Sequence, residues 1–207
     1  GYSSAASDVY KRQGSILGKI IKNIDPRFFK VAVMDKPTED EKRRPFLYRY
    51  VINIPEAGKF TFMDGGCLDE VTKQKLSGKI TDEEYKRKIE SVKRFERQLS
   101  DNGYLVIKFF FHIGEQEQRK RLTRLLDDKN TRWRVSEYDW WQNQHYKKSL
   151  KAFDQFIDDT SQSIAPWYII DATDKKWAQL QILETLVQAI DTASVSYTHL
   201  TLPTNSL

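Results

Sequence analysis

The chain has 207 residues and a mass of 24.4 kDa, enough for one domain with a real core, and 13% aromatics argue against disorder. No apolar run approaches the ~18 residues a membrane helix needs, and a single cysteine, Cys67, excludes an internal disulfide framework. Three scattered histidines argue against a zinc cage, and a net charge of +5 spread over alternating signs reads as a solvated surface. The expected class is a soluble, cytoplasmic, mixed α/β protein.

The stretch 1–13 (GYSSAASDVYKRQ) has no apolar core of the kind a signal peptide carries. The tail 194–207 (SVSYTHLTLPTNSL) has no Asp, Glu, Lys or Arg, after a segment rich in them. Both ends read as translated sequencing adapter, which leaves 14–193 as the domain.

Within it, Ile16, Leu17, Ile20, Ile21 and Ile24 recur at helical spacing until Asp25-Pro26 ends the helix. Phe29–Met34 is a short strand, and Thr38 with Glu41 forms a capping box that opens a helix running through Phe46, Leu47, Tyr50 and Val51. Pro55 and Gly58 mark a turn before a second strand, Lys59–Met63, with Asp64 at its C-terminal end. Asp69–Leu76 is a helix stopped at Gly78. Thr81 and Glu84 repeat the capping signature ahead of a long amphipathic helix through Tyr85, Ile89, Val92, Phe95, Glu96 and Leu99.

After the turn Asn102-Gly103, Tyr104–Ile113 is nearly all apolar, as a parallel strand covered on both faces must be. Glu115–Leu126 is helical, 127–160 is a charged and aromatic-rich helical excursion, Pro166–Asp171 is the last strand and Lys175–Thr192 the last helix. Strands and helices alternate throughout, which predicts right-handed crossovers and a parallel sheet covered by helices on both faces. Ligands bind such sheets at the C-terminal strand edge, where Asp64 and His112–Gly114 fall.

Several segments resemble the polyphosphate kinase 2 family, in particular polyphosphate:AMP phosphotransferases that carry two such domains in tandem. They are Asp25-Pro26-Arg27, Arg44-Pro45-Phe46-Leu47-Tyr48-Arg49-Tyr50, Ile54-Pro55-x-x-Gly58, Phe95-Glu96-x-x-Leu99 and Ile107–Ile113. Arg132-Trp133-x-x-Ser136-x-x-Asp139, Ala165-Pro166-Trp167 and Ala172-x-x-Lys175 complete an ordered series over about 180 residues. The resemblance implies a three-layer P-loop kinase-like fold with a parallel sheet and a helical lid at about 127–160. It also implies Mg²⁺ and phosphoryl transfer between polyphosphate and AMP or ADP. Such chemistry rests on positioning and on neutralising charge.

The resemblance assigns Asp64 to catalysis and metal, and Gly14, Arg44, Arg49, Arg121, Arg124 and Arg132 to phosphate or nucleotide. It also implies departures. The phosphate loop's lysine would fall at Gln13, so the loop and the first, central strand are expected to be missing, leaving its neighbours unpaired. Asp64 matches the aspartate of the family's D-R-S-W-Y, but Gly65 stands where the arginine belongs. In the lid, R-x-x-D-P-x-K-x-W becomes Leu125-x-x-Asp128-Lys129-x-Thr131-x-Trp133, so two basic positions are lost, with Arg124, Lys129, Arg132 and Arg134 nearby.

Two expectations follow: an active, divergent phosphotransferase, or a degenerate half that supports an active sister domain. The 207-residue chain by itself is expected to be inactive and poorly stable. A tandem second domain and a homo-oligomer are the further partners the resemblance brings. A nucleoside monophosphate kinase is the enzymatic rival. An RNA-binding module built on Arg132-Trp133-Arg134 is the other, and Asp127, Asp128, Glu137 and Asp139 dilute its charge. His112 and the tryptophans Trp133, Trp140 and Trp141 read first as packing residues.

Overall fold

A computed structural model of the chain describes residues 18, 20–22, 24–34 and 37–200, with side chains as far as 193. Gly14, Ile16, Leu17 and the stretches 1–13 and 201–207 lie outside the described residues.

Residues 18 and 20–21 are helical, and Asp25 ends that segment by accepting the Arg27 amide at 2.9 Å as a 3₁₀ turn begins at Pro26. Strand β1 (Phe29–Val33) follows. The predicted capping box closes at Thr38 and Glu41, but the helix it opens is short. Instead of one helix through Val51 there are two, α1 (Glu39–Lys42) and α2 (Tyr48–Val51). Pro45 lies between them: it has no amide to donate and disfavours helix at the residue before it.

Strand β2 (Phe60–Asp64) leads to α3 (Cys67–Leu76), and α4 (Asp82–Asp101) starts on the second predicted capping box, Thr81 with Glu84. Strand β3 is Lys108–His112, shorter than the apolar run suggested, because Tyr104 returns its amide to the end of α4 at Leu99 O. Helices α5 (Glu115–Asp127), α6 (Glu137–Gln144) and α7 (Tyr146–Thr160), strand β4 (Trp167–Asp171) and helix α8 (Lys175–Leu200) complete the order.

Among the described residues the strands form two parallel pairs and not one sheet. Phe29 to Val33 pair with Phe60 to Asp64, and Lys108 to His112 pair with Trp167 to Asp171. Between the pairs runs a cleft of about 480 Å³, lined by Phe60–Met63 of β2, Val106–Phe109 of β3, and Ile20, Phe95, Leu99 and Leu186 from the flanking helices. Among the described residues β2 and β3 each pair on one side alone, and both line this largely apolar space.

Strand β3 supplies both layers of the core, which is why its sequence does not alternate. Phe109 and Phe111 pack with Ile20, Ile170, Ala178 and Ile182 on one side of the sheet. Phe110 packs with Leu68, Val71, Ile89, Phe153 and Phe156 on the other. Each of these large side chains contributes about 1.5–3 kcal/mol by leaving water, and together they hold α8 and the N-terminal helical residues on one face and α3, α4 and α7 on the other. The result is the three-layer α/β arrangement with parallel strands. Among the described residues no helix is long and apolar enough to cross a membrane.

Candidate active site

The C-terminal end of β2 is shaped by Gly65. Its φ is +83°, a conformation in which an L side chain costs roughly 1–2 kcal/mol. A Cβ there would also stand 3.4 Å from the Met34 carbonyl oxygen. The chain then doubles back into α3, whose first turn carries Asp69 toward Asp64. Asp64 is buried. Burial, and next the negative charge of Asp64, push the Asp69 carboxyl well above the usual carboxylate range, and Lys73 pulls it back in part.

Lys73 sits 4.0 Å from the ring centroid of Tyr138 on α6. The Tyr138 hydroxyl is raised by burial first, then by Asp69 and Asp139. Asp64, Asp69, Lys73 and Tyr138 therefore form one electrostatic unit joining the strand end to α6. Asp69, Lys73 and Tyr138 were not singled out from sequence. The readable signal was a strand-ending Asp, a Gly-Gly turn and an acidic first helical turn.

Cys67 lines the cleft, and burial pushes its thiol up to about 12, which suits packing and not nucleophilic chemistry.

At the neighbouring strand ends, Tyr146 donates to Ile113 O at 2.7 Å, so its oxygen accepts from His112 Nε2 at 3.1 Å. His112 is thereby a fastener between β3 and α7, the packing role its sequence position suggested. Arg121 is 3% exposed, and its Nη2 donates to Ala172 O at 3.2 Å and Thr173 O at 2.9 Å while its Nε bonds Glu117. It clasps the loop after β4.

Arg49 is also buried, lying 3.4 Å from Glu41 and 3.9 Å from Glu70. Arg44 is exposed, bonded to Asp40 at 2.8 Å and stacked 4.5 Å over Tyr48. Of the arginines assigned to phosphate from sequence, these three are occupied by the protein's own oxygens.

Arg124 and Arg132 are both exposed, as are Lys129 and Arg134. Trp133, between Arg132 and Arg134 in the chain, is 76% exposed, donates its Nε1 to Asn130 O and lies under the Arg134 guanidinium at 5.4 Å. Thr131, at the position of the family's lid lysine, turns its hydroxyl back to Leu125 O at 2.9 Å and closes the end of α5. Ser136 and Asp139 form a capping box at the start of α6. Trp141 stacks between Tyr138 and His145.

Among the described residues no group of three or more His, Cys, Asp or Glu could enclose a metal. Mg²⁺ needs no such cage, since it binds through one or two carboxylates together with waters and substrate phosphates. The Asp64–Asp69 pair fits that requirement: two hard oxygen donors close enough to repel, whose charge a divalent cation would compensate.

The profile of the family described as Polyphosphate kinase 2 matches residues 6–198, a span that runs beyond 14–193 at each end. The chain belongs to the polyphosphate kinase 2 family. It is 32% identical over 181 residues to a polyphosphate:AMP phosphotransferase of Pseudomonas syringae pv. tomato, covering 87% of this chain and 36% of the relative. It is 27% identical over 191 residues to ADP-polyphosphate phosphotransferase 2 of Rhizobium meliloti, covering 92% and 62%. Its fold superposes on the crystal structure of polyphosphate kinase 2 from Arthrobacter aurescens TC1 with a TM-score of 0.85 at 25% identity, over 92% of this chain and 66% of that one. The chain thus spans about a third of the first relative and under two thirds of the second. The polyphosphate kinase 2 fold accounts for the parallel strands and the flanking helices together.

Proposed function

We propose that this domain transfers phosphate between polyphosphate and AMP or ADP, with Mg²⁺ held at Asp64 beside Asp69. The observation that carries the reading is the Asp64–Asp69 pair at a strand's C-terminal end, joined through Lys73 and Tyr138 to a lid that bears exposed cations. A divalent ion there would neutralise phosphate charge. Asp64 would bind and orient it, Tyr138 and Lys73 would hold the lid over the site, and Arg124, Lys129, Arg132 and Arg134 would attract and align the polyanion. The names of the relatives support polyphosphate and a nucleotide as the substrate classes. They do not favour RNA recognition.

The transfer also needs a phosphate loop. We place it on a strand seated in the cleft between β2 and β3, each of which pairs on one side alone among the described residues.

One observation favours a second reading, a half-domain that supports an active sister. Gly65 and Thr131 are built into backbone roles where the family places cations, and Arg49 and Arg121 are held internally. The assay that separates the two supplies the strand and phosphate loop upstream and measures ADP formed from AMP, polyphosphate and Mg²⁺. Turnover that Asp64→Ala reduces by at least about a hundredfold is the expected result. A folded protein with no turnover assigns the domain the supporting role.

A further inference from the structure

Trp133 is 76% exposed, whereas Trp140, Trp141 and Trp167 are half-buried. A lone exposed apolar side chain needs no explanation. An exposed one that is held in place does. The indole Nε1 donates to Asn130 O at 2.8 Å, and the Arg134 guanidinium lies over the ring at 5.4 Å, within cation–π range. The backbone around it is tied down in turn. The Asn130 amide donates to Asp128 Oδ1 at 2.9 Å, and the Thr131 and Arg132 amides donate to Asp128 O at 3.0 and 2.9 Å. Thr131 adds its hydroxyl bond to Leu125 O. Trp141 stacks between two rings, Tyr138 and His145. Among the described residues Trp133 has only Arg134 on one face, and its other face is open to solvent.

The residues around this fixed indole favour an anion. Four cations, Arg124, Lys129, Arg132 and Arg134, stand against two carboxylates, Asp127 and Asp128, between positions 124 and 134. A ligand that uses both features carries an aromatic ring and a phosphate. Polyphosphate offers only the charge, and an apolar peptide only a surface for the ring. A nucleotide offers both. We infer that the open face of Trp133 is the platform on which the base of the nucleotide stacks, with its phosphate against Lys129 and Arg132. The inference rests on the phosphotransfer reading above and names the part of the nucleotide that is gripped. The only polar atom of the indole is spent on Asn130 O, so the contact is by stacking, which every base can make. The platform demands a base without choosing among bases.

Calorimetric titration of the 207-residue chain with AMP and with ribose 5-phosphate tests this, since the two ligands differ only in the base. Neither polyphosphate nor Mg²⁺ is present, so the result does not depend on turnover. A domain without phosphotransfer can still bind AMP in this way, and an active one can fail to. AMP is expected to bind roughly 5- to 150-fold tighter than ribose 5-phosphate, the usual worth of one base on an aromatic side chain. GMP should match AMP within about threefold. Trp133→Ala removes most of the margin and leaves ribose 5-phosphate binding unchanged, which also shows that the variant is folded. Trp133→Phe keeps part of the margin, and Arg132→Gln weakens both ligands alike. A margin that survives Trp133→Ala overturns the inference, as does a chain that binds neither ligand or binds both equally. If Trp133→Ala abolishes binding of a short oligouridylate and spares that of AMP, the inference also fails and the indole belongs to an RNA site.

Discussion

A carboxyl withdrawn from water beside a second carboxylate holds its proton to higher pH, and Asp69 is in that position next to Asp64. Its folded pKa lies above that of the unfolded chain, so the folded state binds more protons between the two values. Stability therefore falls as pH rises from the ordinary carboxylate range through the folded pKa. Asp69→Asn removes the titration, and it is expected to raise the urea midpoint at pH 7. The gain should shrink to nothing below about pH 4, where both forms are uncharged. A gain that persists at low pH would mean that packing and not charge sets the cost. The same residue explains why the site was only partly legible: Asp64 was readable from its strand end, whereas Asp69 meets it only through the left-handed turn at Gly65. Arg49 and Arg121 show the converse. Their partners Glu70, Ala172 and Thr173 lie far along the chain, so sequence spacing could not reveal that their charges are already engaged.

A buried ion pair joins a helix to a strand. Lys108 on β3 donates to both carboxylate oxygens of Glu96 on α4, at 2.9 and 2.8 Å, and to Thr160 O at the end of α7, at 3.0 Å. Gln162 adds a bond to Glu96 at 3.1 Å. Burial lowers the Lys108 pKa and raises that of Glu96 despite their attraction, so desolvation outweighs the pairing for each partner. Removing one partner strands the other, and Lys108→Ala is expected to cost about 3–5 kcal/mol in urea unfolding. Replacing both, with Glu96→Leu and Lys108→Met, should come within about 1 kcal/mol of the original. A double variant as unstable as the single one would mean that the bonds to Thr160 and Gln162 carry the effect. The two Thr-x-x-Glu capping boxes, by contrast, were readable directly, because all their atoms lie within four residues. The helix expected through Val51 was not: periodicity continued past Pro45, and the backbone could not.

At the scale of the whole molecule, helices cover both faces of the strands, and the described strands fall into two pairs. The apolar run around Phe109–Phe111 announced a strand covered on both faces, and the structure packs it so. Local pattern could not show that β2 and β3 stay apart, since pairing depends on what lies between them. The cleft of about 480 Å³ between them is a largely apolar space with two strand edges that no described residue pairs, and its consequence is measurable. A parallel strand of five apolar residues would bury side chains worth about 1.5–3 kcal/mol each, against about 1–2 kcal/mol per residue of lost backbone freedom. The net gain is a few kcal/mol. At about 2–4 °C per kcal/mol for a chain of this size, the thermal midpoint should rise by roughly 5–10 °C when such a strand is supplied upstream. The 207-residue chain should also bind a fluorescent hydrophobic dye that the extended chain does not, because the same surface cannot serve both. If the extended chain keeps its dye binding and its midpoint, the strand seats elsewhere and the cleft is a ligand pocket in its own right.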